Sequence, residues 1–310
     1  MRSGRITRWV RSVPIVVFGR PLRGGQLYAP FFIVGSGRCG STLLRAMLEA
    51  HPALHIPPEN PLGAMLRDYQ RYGRLPWSAV LRILLGRVAF DPTWESWELP
   101  LAEPFRTLEG LPHSRRDLAA ILDVLYRAHG ARHKPGATRW GDKMTPPNTL
   151  FLSDFVRVFP DLRAIHLVRD GRDVVHSYMR TADRPLSWCA ERWLDAVRAA
   201  QAFGARRPAQ YLEIRYEDLV RTPGPILERV AAFLAVEFDE RMLHHHELGL
   251  KLGDVEHYPE LQGVWRPAHS EAVGRWRTAF DAAQRTELDR ALGPTLKALG
   301  YETEADGAGG

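Results

Sequence analysis

Cysteine is scarce in this sequence. The two present, Cys39 and Cys189, have neither the number for a disulfide framework nor the spacing of a metal site. Two isolated thiols fit a reducing compartment, so a cytoplasmic location is expected. Long apolar runs are missing too: nothing approaches the roughly 20 residues of a membrane span. The stretch Val13 to Phe18 is mostly apolar with arginines around it. It is too short for a span or a signal peptide and reads as part of an N-terminal arm. No run interleaves basic with aromatic residues, so nucleic acid is not an expected partner. No cluster of His, Cys, Asp and Glu has ligand spacing, so no metal is expected. The tail from Thr303 to Gly310 is small and polar and is expected to be disordered.

What remains is a chain of 310 residues, 45% hydrophobic, which is enough to bury one large core. The net charge of +6 has two readings: solvated arginine-rich faces, or a site for a polyanionic small ligand or an acidic partner.

The chain is organised around Phe31 to Ala50, FFIVGSGRCGSTLLRAMLEA. Four apolar residues predict a short buried strand. Gly35, Gly37 and Gly40 then let the backbone turn tightly, and a helix begins near Thr42. Strand, glycine loop and helix N-terminus make a ready anion site, because the first N–H groups of the helix have no partner within it. A Walker A loop has a lysine after its last glycine. Here Ser41 takes that place and the cation comes earlier, as Arg38, which suits a phosphate-type group other than a metal-bound triphosphate.

Further along, HPALHIPPEN ends the helix and forces extended backbone. Residues 61–139 read as a helical insertion able to wall an acceptor pocket, its clearest helix over Arg116 to His129. RWGDKMTPP is short, extended and then broken by proline. RAIHLV predicts a second strand, followed by a turn at Gly171 and a helix. YLEIR predicts a third strand. Helices are expected near Ser187 to Phe203 and Ile226 to Leu234. Glu287 to Leu299 is expected as two helical pieces, because Pro294 interrupts it. The fold class is therefore α/β: a P-loop-like parallel sheet flanked by helices, with a helical insertion. The domain reading is an arm over 1–29, a single domain over 30–302 with its insertion at 61–139, and a tail over 303–310. Both glycine turns would lie at the carboxyl edge of the sheet, where such sheets bind ligands. Two anion-binding turns on one edge suit a ligand with two separated anionic groups.

At this point the residues carry a family resemblance. GSGRCGSTLLRAMLEAHP resembles the 5'-phosphosulfate loop of sulfotransferases, which take a sulfuryl group from 3'-phosphoadenylyl sulfate (PAPS). HLVRDGRDVVHSYMR resembles their 3'-phosphate motif. YLEIRYEDLV resembles the third family strand, and VGRWR the segment that closes over the cofactor. The order looks most like the tyrosylprotein sulfotransferase branch, over Pro30 to Tyr301 and weakly through Pro61 to Arg139.

The resemblance implies roles. Arg38 falls on the arginine at the transferring sulfuryl group, and Gly37, Cys39, Gly40, Ser41 and Thr42 supply loop N–H groups and hydroxyls. Arg169 and Ser177 match the pair that holds the 3'-phosphate. Tyr216 matches a tyrosine near adenine. Arg275 stands where the family has a lysine before tryptophan. Lys143 matches a lysine on the leaving side, and Glu59 the proposed general base. Departures are Pro57 and Pro58 before Glu59, Met144 in place of an acidic residue, and a displaced family arginine after the serine, which weakens the match of Arg180 to a phosphate contact. A free glutamate titrates near about 4.3, so burial would have to raise Glu59 for base catalysis.

The resemblance thus implies transfer to a hydroxyl acceptor: a small metabolite, a glycan, a lipid or a peptide tyrosine. It needs no metal, and a homodimer is left open. Each residue also has a plainer reading. Arg169 can pair with Asp170 or Asp173, Glu59 can cap a helix near Pro61, Ser177 and Lys143 can be solvated, Tyr216 can be core, and His51 or His55 can replace Glu59 as base. His244 to His246 cannot share one helix face, which favours surface or supporting roles. The rival functions are a P-loop kinase or NTPase and a non-catalytic nucleotide-binding protein.

Overall fold

The computed structural model describes residues 21–23, 26, 28–144, 146–253, 255–257 and 259–302. Val13 to Phe18 and the tail 303–310 lie outside them, as does most of the expected arm.

Five parallel strands form one sheet: β1 Phe31–Val34, β2 Leu54–His55, β3 Arg139–Lys143, β4 Arg163–Val168 and β5 Tyr211–Arg215, in the order β2-β3-β1-β4-β5. The three strands expected from the sequence are observed at β1, β4 and β5. The other two come from segments read only as extended. β2 is two residues long and sits between prolines at the sheet edge, where a proline costs no ladder bond. β3 carries Asp142 and Lys143 yet is buried from Trp140 onward, so its polarity hid it.

β1 is central and fully buried, and its alternation divides the core. Phe31 and Ile33 point into a cluster built on Trp193, Val197 and Leu227 from the helices Leu186–Arg206 and Pro223–Leu234. Phe32 and Val34 point into a second cluster, shared with the insertion helices Leu62–Tyr72, Trp77–Ala89 and Leu118–His133. The insertion therefore lies over one sheet face and continues that face's core.

One expectation needs correction. Pro294 does not divide the last helix; Ala282–Ala298 is continuous. Leu288, Leu292 and Leu296 lie fully buried on both sides of the proline, and their packing offsets the hydrogen bond that proline removes. The histidine run takes both expected roles: His244 is exposed and His245 supports a neighbouring segment. His245 is fully buried, its Nε2 3.0 Å from the carbonyl of Val264, which ties this turn to the segment that follows it.

The order of the strands sets the site. β1 lies between β3 and β4, with Ile33 beside Lys143 and Val34 beside His166. The loop after β1 therefore has the end of β3 on one side and the turn after β4 on the other.

Candidate functional site

The loop after β1 is wound in a left-handed sense. Gly37, Arg38 and Gly40 have φ of 75°, 54° and 93°. For Arg38, a residue with a Cβ, this costs on the order of 1 kcal/mol. Gly40 is required for another reason. A Cβ there would lie 2.4 Å from Cδ2 of Tyr216, so only glycine lets that ring close against the loop. The helix Ser41–Glu49 starts at Gly40 with no side-chain cap and no acidic residue in its first turn, which leaves its N-terminus open to an anion.

Arg169, at the end of β4, reaches across to this loop. Its guanidinium donates to the carbonyl of Arg38 (3.1 Å) and to that of Ala272 (2.5 Å), and it lies 4.6 Å from the centre of the Tyr216 ring. Asp173 is 3.9 Å away, so the plainer ion-pair reading holds only loosely. Nε of Arg169 is buried with no partner among the described residues. Nε of Arg38 in turn donates to Oγ of Ser177 (3.1 Å). The two arginines, 131 positions apart, thus belong to one hydrogen-bonded group.

These residues enclose a cavity of about 390 Å³. Arg38, Gly40, Ser41 and Thr42 line one side; Arg169, Ser177, Tyr216 and Arg275 line the others. Gly37 and Cys39 belong to the loop but not to the wall. Cys39 is buried in the core, where desolvation pushes its thiol up, so it can offer a ligand only backbone.

Sequence reasoning missed Asp173, His176 and His269 in the wall and left Arg180 doubtful. The first two had a signal. Asp173, His176, Ser177 and Arg180 fall at i, i+3, i+4 and i+7 on the helix Gly171–Ala182, one stripe of one face. His269 had none, since its segment has no periodicity. Burial, then the nearby Arg180 charge, holds the His176 imidazole below its ordinary value.

Asp173 has a second task. One carboxylate oxygen accepts from N–H of Gly274 (2.7 Å) and the other from N–H of Trp276 (2.9 Å). Burial raises this carboxyl, and those two N–H groups work against the rise. The Trp276 ring lies 3.8 Å under the guanidinium of Arg172, which Asp170 holds by two bonds. VGRWR is thereby fastened over the cavity.

Lys143 and Glu59 stand beyond Thr42 and do not line the cavity wall. Nζ of Lys143 donates to Glu59 Oε1 and reaches Thr42 Oγ1 at 3.4 Å. Lys143 is buried, whereas the Glu59 side chain is 31% exposed. The helix Leu62–Tyr72 has no side-chain cap, so Glu59 is not its N-cap. Its environment is a cation and partial solvent, not the apolar burial expected for it. His51 and His55 are engaged elsewhere: His51 with the carbonyl of Glu237, and His55 with Glu49 and His129.

The loop after β1, the turn after β4 and a lysine–carboxylate pair therefore meet along one sheet edge. The family model described as the sulfotransferase family matches residues 30–240. The chain belongs to that family. The enzyme is similar to protein-tyrosine sulfotransferase 2 of Gallus gallus, 26% identical over 289 residues that cover 89% of this chain and 70% of that one. It is also similar to protein-tyrosine sulfotransferase 1 of Danio rerio, 27% identical over 311 residues, 92% of this chain and 78% of that one. Among solved structures, the sulfotransferase domain of the Synechococcus PCC 7002 olefin synthase matches with a TM-score of 0.63 at 24% identity, over 90% of this chain and 98% of that one. That likeness bears on the fold. Membership of the family sets aside the kinase and binding-only readings for this sulfotransferase.

Proposed function

We propose that this enzyme moves a sulfuryl group from PAPS to a hydroxyl acceptor. The convergence of Arg38 and Arg169 on one cavity carries the reading. A nucleotide with anionic groups at both ends of its ribose suits a cavity flanked by the loop after β1 and the turn after β4. The unpartnered, buried Nε of Arg169 supports an anion there, because a buried donor left without an acceptor is costly.

When bound, PAPS supplies the sulfuryl group; this chain's residues place it and handle the proton. Arg169 and Ser177 would hold the 3'-phosphate, with His176, Arg180 and Arg275 around them. Loop N–H groups and Arg38 would face the phosphosulfate, where fixed donors stabilise charge on the transferring oxygens. Lys143 would neutralise the bridging oxygen as the bisphosphate leaves, and Glu59 would take the acceptor's proton. Lys143 and Glu59 are bonded to each other in this structure, so each must exchange its present partner for a reacting group.

The acceptor is any hydroxyl that reaches Glu59 beside the helical insertion. The names of the relatives put peptide tyrosine first among those to try. The two cysteines, both free and buried, support a cytoplasmic location. The deciding experiment is transfer of labelled sulfate from PAPS to a panel of tyrosine peptides, phenols, alcohols and sugars. Label on one acceptor class, dependent on Glu59, is the expected result. Magnesium-dependent ATP turnover with no effect of PAPS would overturn it.

A further inference from the structure

Behind the Glu59–Lys143 pair lies a buried polar cluster to which nothing above assigns a task. Asp142 and Lys143 are consecutive in β3, and strand alternation sends their side chains to opposite faces. Lys143 goes to Thr42 and Glu59. Asp142 goes to Tyr126, on the helix Leu118–His133, whose hydroxyl donates to Asp142 Oδ2. Asn60, the residue after Glu59, donates from Nδ2 to the same oxygen (3.1 Å) and to the Tyr126 hydroxyl. All three side chains are buried. The dipeptides 59–60 and 142–143 are therefore cross-linked twice, once by an ion pair and once by neutral donors on a carboxyl.

The segment from Ile56 to Asn60 needs such a link. It forms neither strand nor helix, so no ladder fixes it. Its place is set by side-chain contacts: Arg45 on the carbonyl of Ile56 (3.1 Å), the Ile56 N–H on Glu49 Oε2 (2.6 Å), the Trp97 indole N–H on the carbonyl of Pro58 (3.0 Å), Asn148 on that of Asn60 (3.4 Å), and the side chains of Glu59 and Asn60. Among the described residues the last two join the segment to the strand that carries Lys143, Glu59 through Lys143 itself and Asn60 through Asp142. The cluster is also incompletely satisfied, since Oδ1 of Asn60 is buried without a partner among the described residues. An apolar trio would pack there at less cost.

We propose that Asn60, Tyr126 and Asp142 are positioning residues that hold the Glu59 carboxylate and the Lys143 ammonium in register with each other and with the cavity. This rests on the transferase reading for its catalytic consequence, though not for its geometry. Burial pushes the Asp142 carboxyl up to about 7, helped by the charge of Glu59 and opposed by the Tyr126 hydrogen bond, Lys143 and Arg45. The same burial holds Tyr126 well above its ordinary value. Tyr126 keeps its proton, and Asp142 Oδ2 accepts from both Tyr126 and Asn60, so the link works as a hydrogen-bonded clamp.

The test uses the full-length chain and two isosteric variants, Tyr126→Phe and Asp142→Asn, with Asp142→Ala beside them. Asparagine can accept both donors as Asp142 does, so Asp142→Asn should rescue what Asp142→Ala loses. Tyr126→Phe and Asp142→Ala should lower kcat by about 10- to 100-fold, the scale of a misplacement near 1 Å. Affinity for adenosine 3',5'-bisphosphate should stay the same.

A second readout needs no turnover. The sequence has four lysines, so ¹³C-dimethylated Lys143 can be assigned against Lys143→Arg. Its NMR signal in Tyr126→Phe and Asp142→Ala should move toward its position in Glu59→Gln, and stay at wild type in Asp142→Asn. Unchanged kcat with an unchanged signal overturns the inference. So does a parallel loss of kcat and bisphosphate affinity with the signal unmoved, which is what general loosening would produce. If the wild type transfers no sulfate from PAPS, the donor reading fails, and the Lys143 signal alone decides this inference.

Discussion

The two ends of the site keep their charges in opposite ways. At the cavity end, arginines meet carbonyls, a hydroxyl and an aromatic face; Asp173 is the nearest carboxylate to Arg169, and it is occupied with two backbone N–H groups. At the other end, Lys143 and Glu59 neutralise each other. The first arrangement leaves the buried Nε of Arg169 without a partner among the described residues, a donor that a ligand can satisfy. The second pairs a carboxylate with a cation, and in the roles proposed above each would act once it is drawn from the other. On the roles proposed above, binding and proton handling fall to separate groups, and Thr42 touches both.

That contrast can be broken by mutation. Glu59→Gln should lower kcat by about 10²- to 10⁴-fold, the usual range for a general base, while bisphosphate affinity is kept. Steady-state kinetics beside calorimetry checks this, and full activity across neutral pH would remove Glu59 from the base role. Arg169→Ala should do the reverse. Losing charged hydrogen bonds costs about 1.5–3 kcal/mol, which is roughly 10- to 150-fold in Kd. Equal losses of kcat and affinity in both variants would mean that the two ends are not separate.

A third prediction concerns pH. The folded-state pKa of Asp142 lies near 7, raised from 3.8. The folded protein therefore binds this proton more tightly than the unfolded chain does. The stability this confers is complete at low pH and is lost as pH rises through about 7. Asp142→Asn should flatten that part of the Tm–pH curve, and an unchanged slope would place the titration elsewhere. The smallest effect belongs to Arg275, whose side chain is 47% exposed. Arg275→Ala should weaken bisphosphate binding by about 0.2–1 kcal/mol, and more at low salt than at high.

Local chemistry made much of this molecule legible. β1 and β4 are mostly apolar runs and β5 is a short alternating one, and each appears where the sequence puts it. The glycine loop announces itself because only Gly40 tolerates the Tyr216 ring against it. What local pattern did not show was β2, which is two residues long, and β3, whose Asp142 and Lys143 disguise a buried strand. The continuity of the last helix through Pro294 was equally hidden, because core packing decides it and propensity does not.

The sequence by itself determined the two turns, the chain order that brings them to one edge, and the residue types that can face an anion. Only the tertiary structure decided the pairings: Arg38 with Ser177, Lys143 with Glu59, Asn60 and Tyr126 with Asp142, and Asp173 with the closing segment. The reason is physical. Turn chemistry is written in neighbouring residues, whereas these contacts join positions from 16 to 139 apart, and they form because strand order places β3, β1 and β4 side by side.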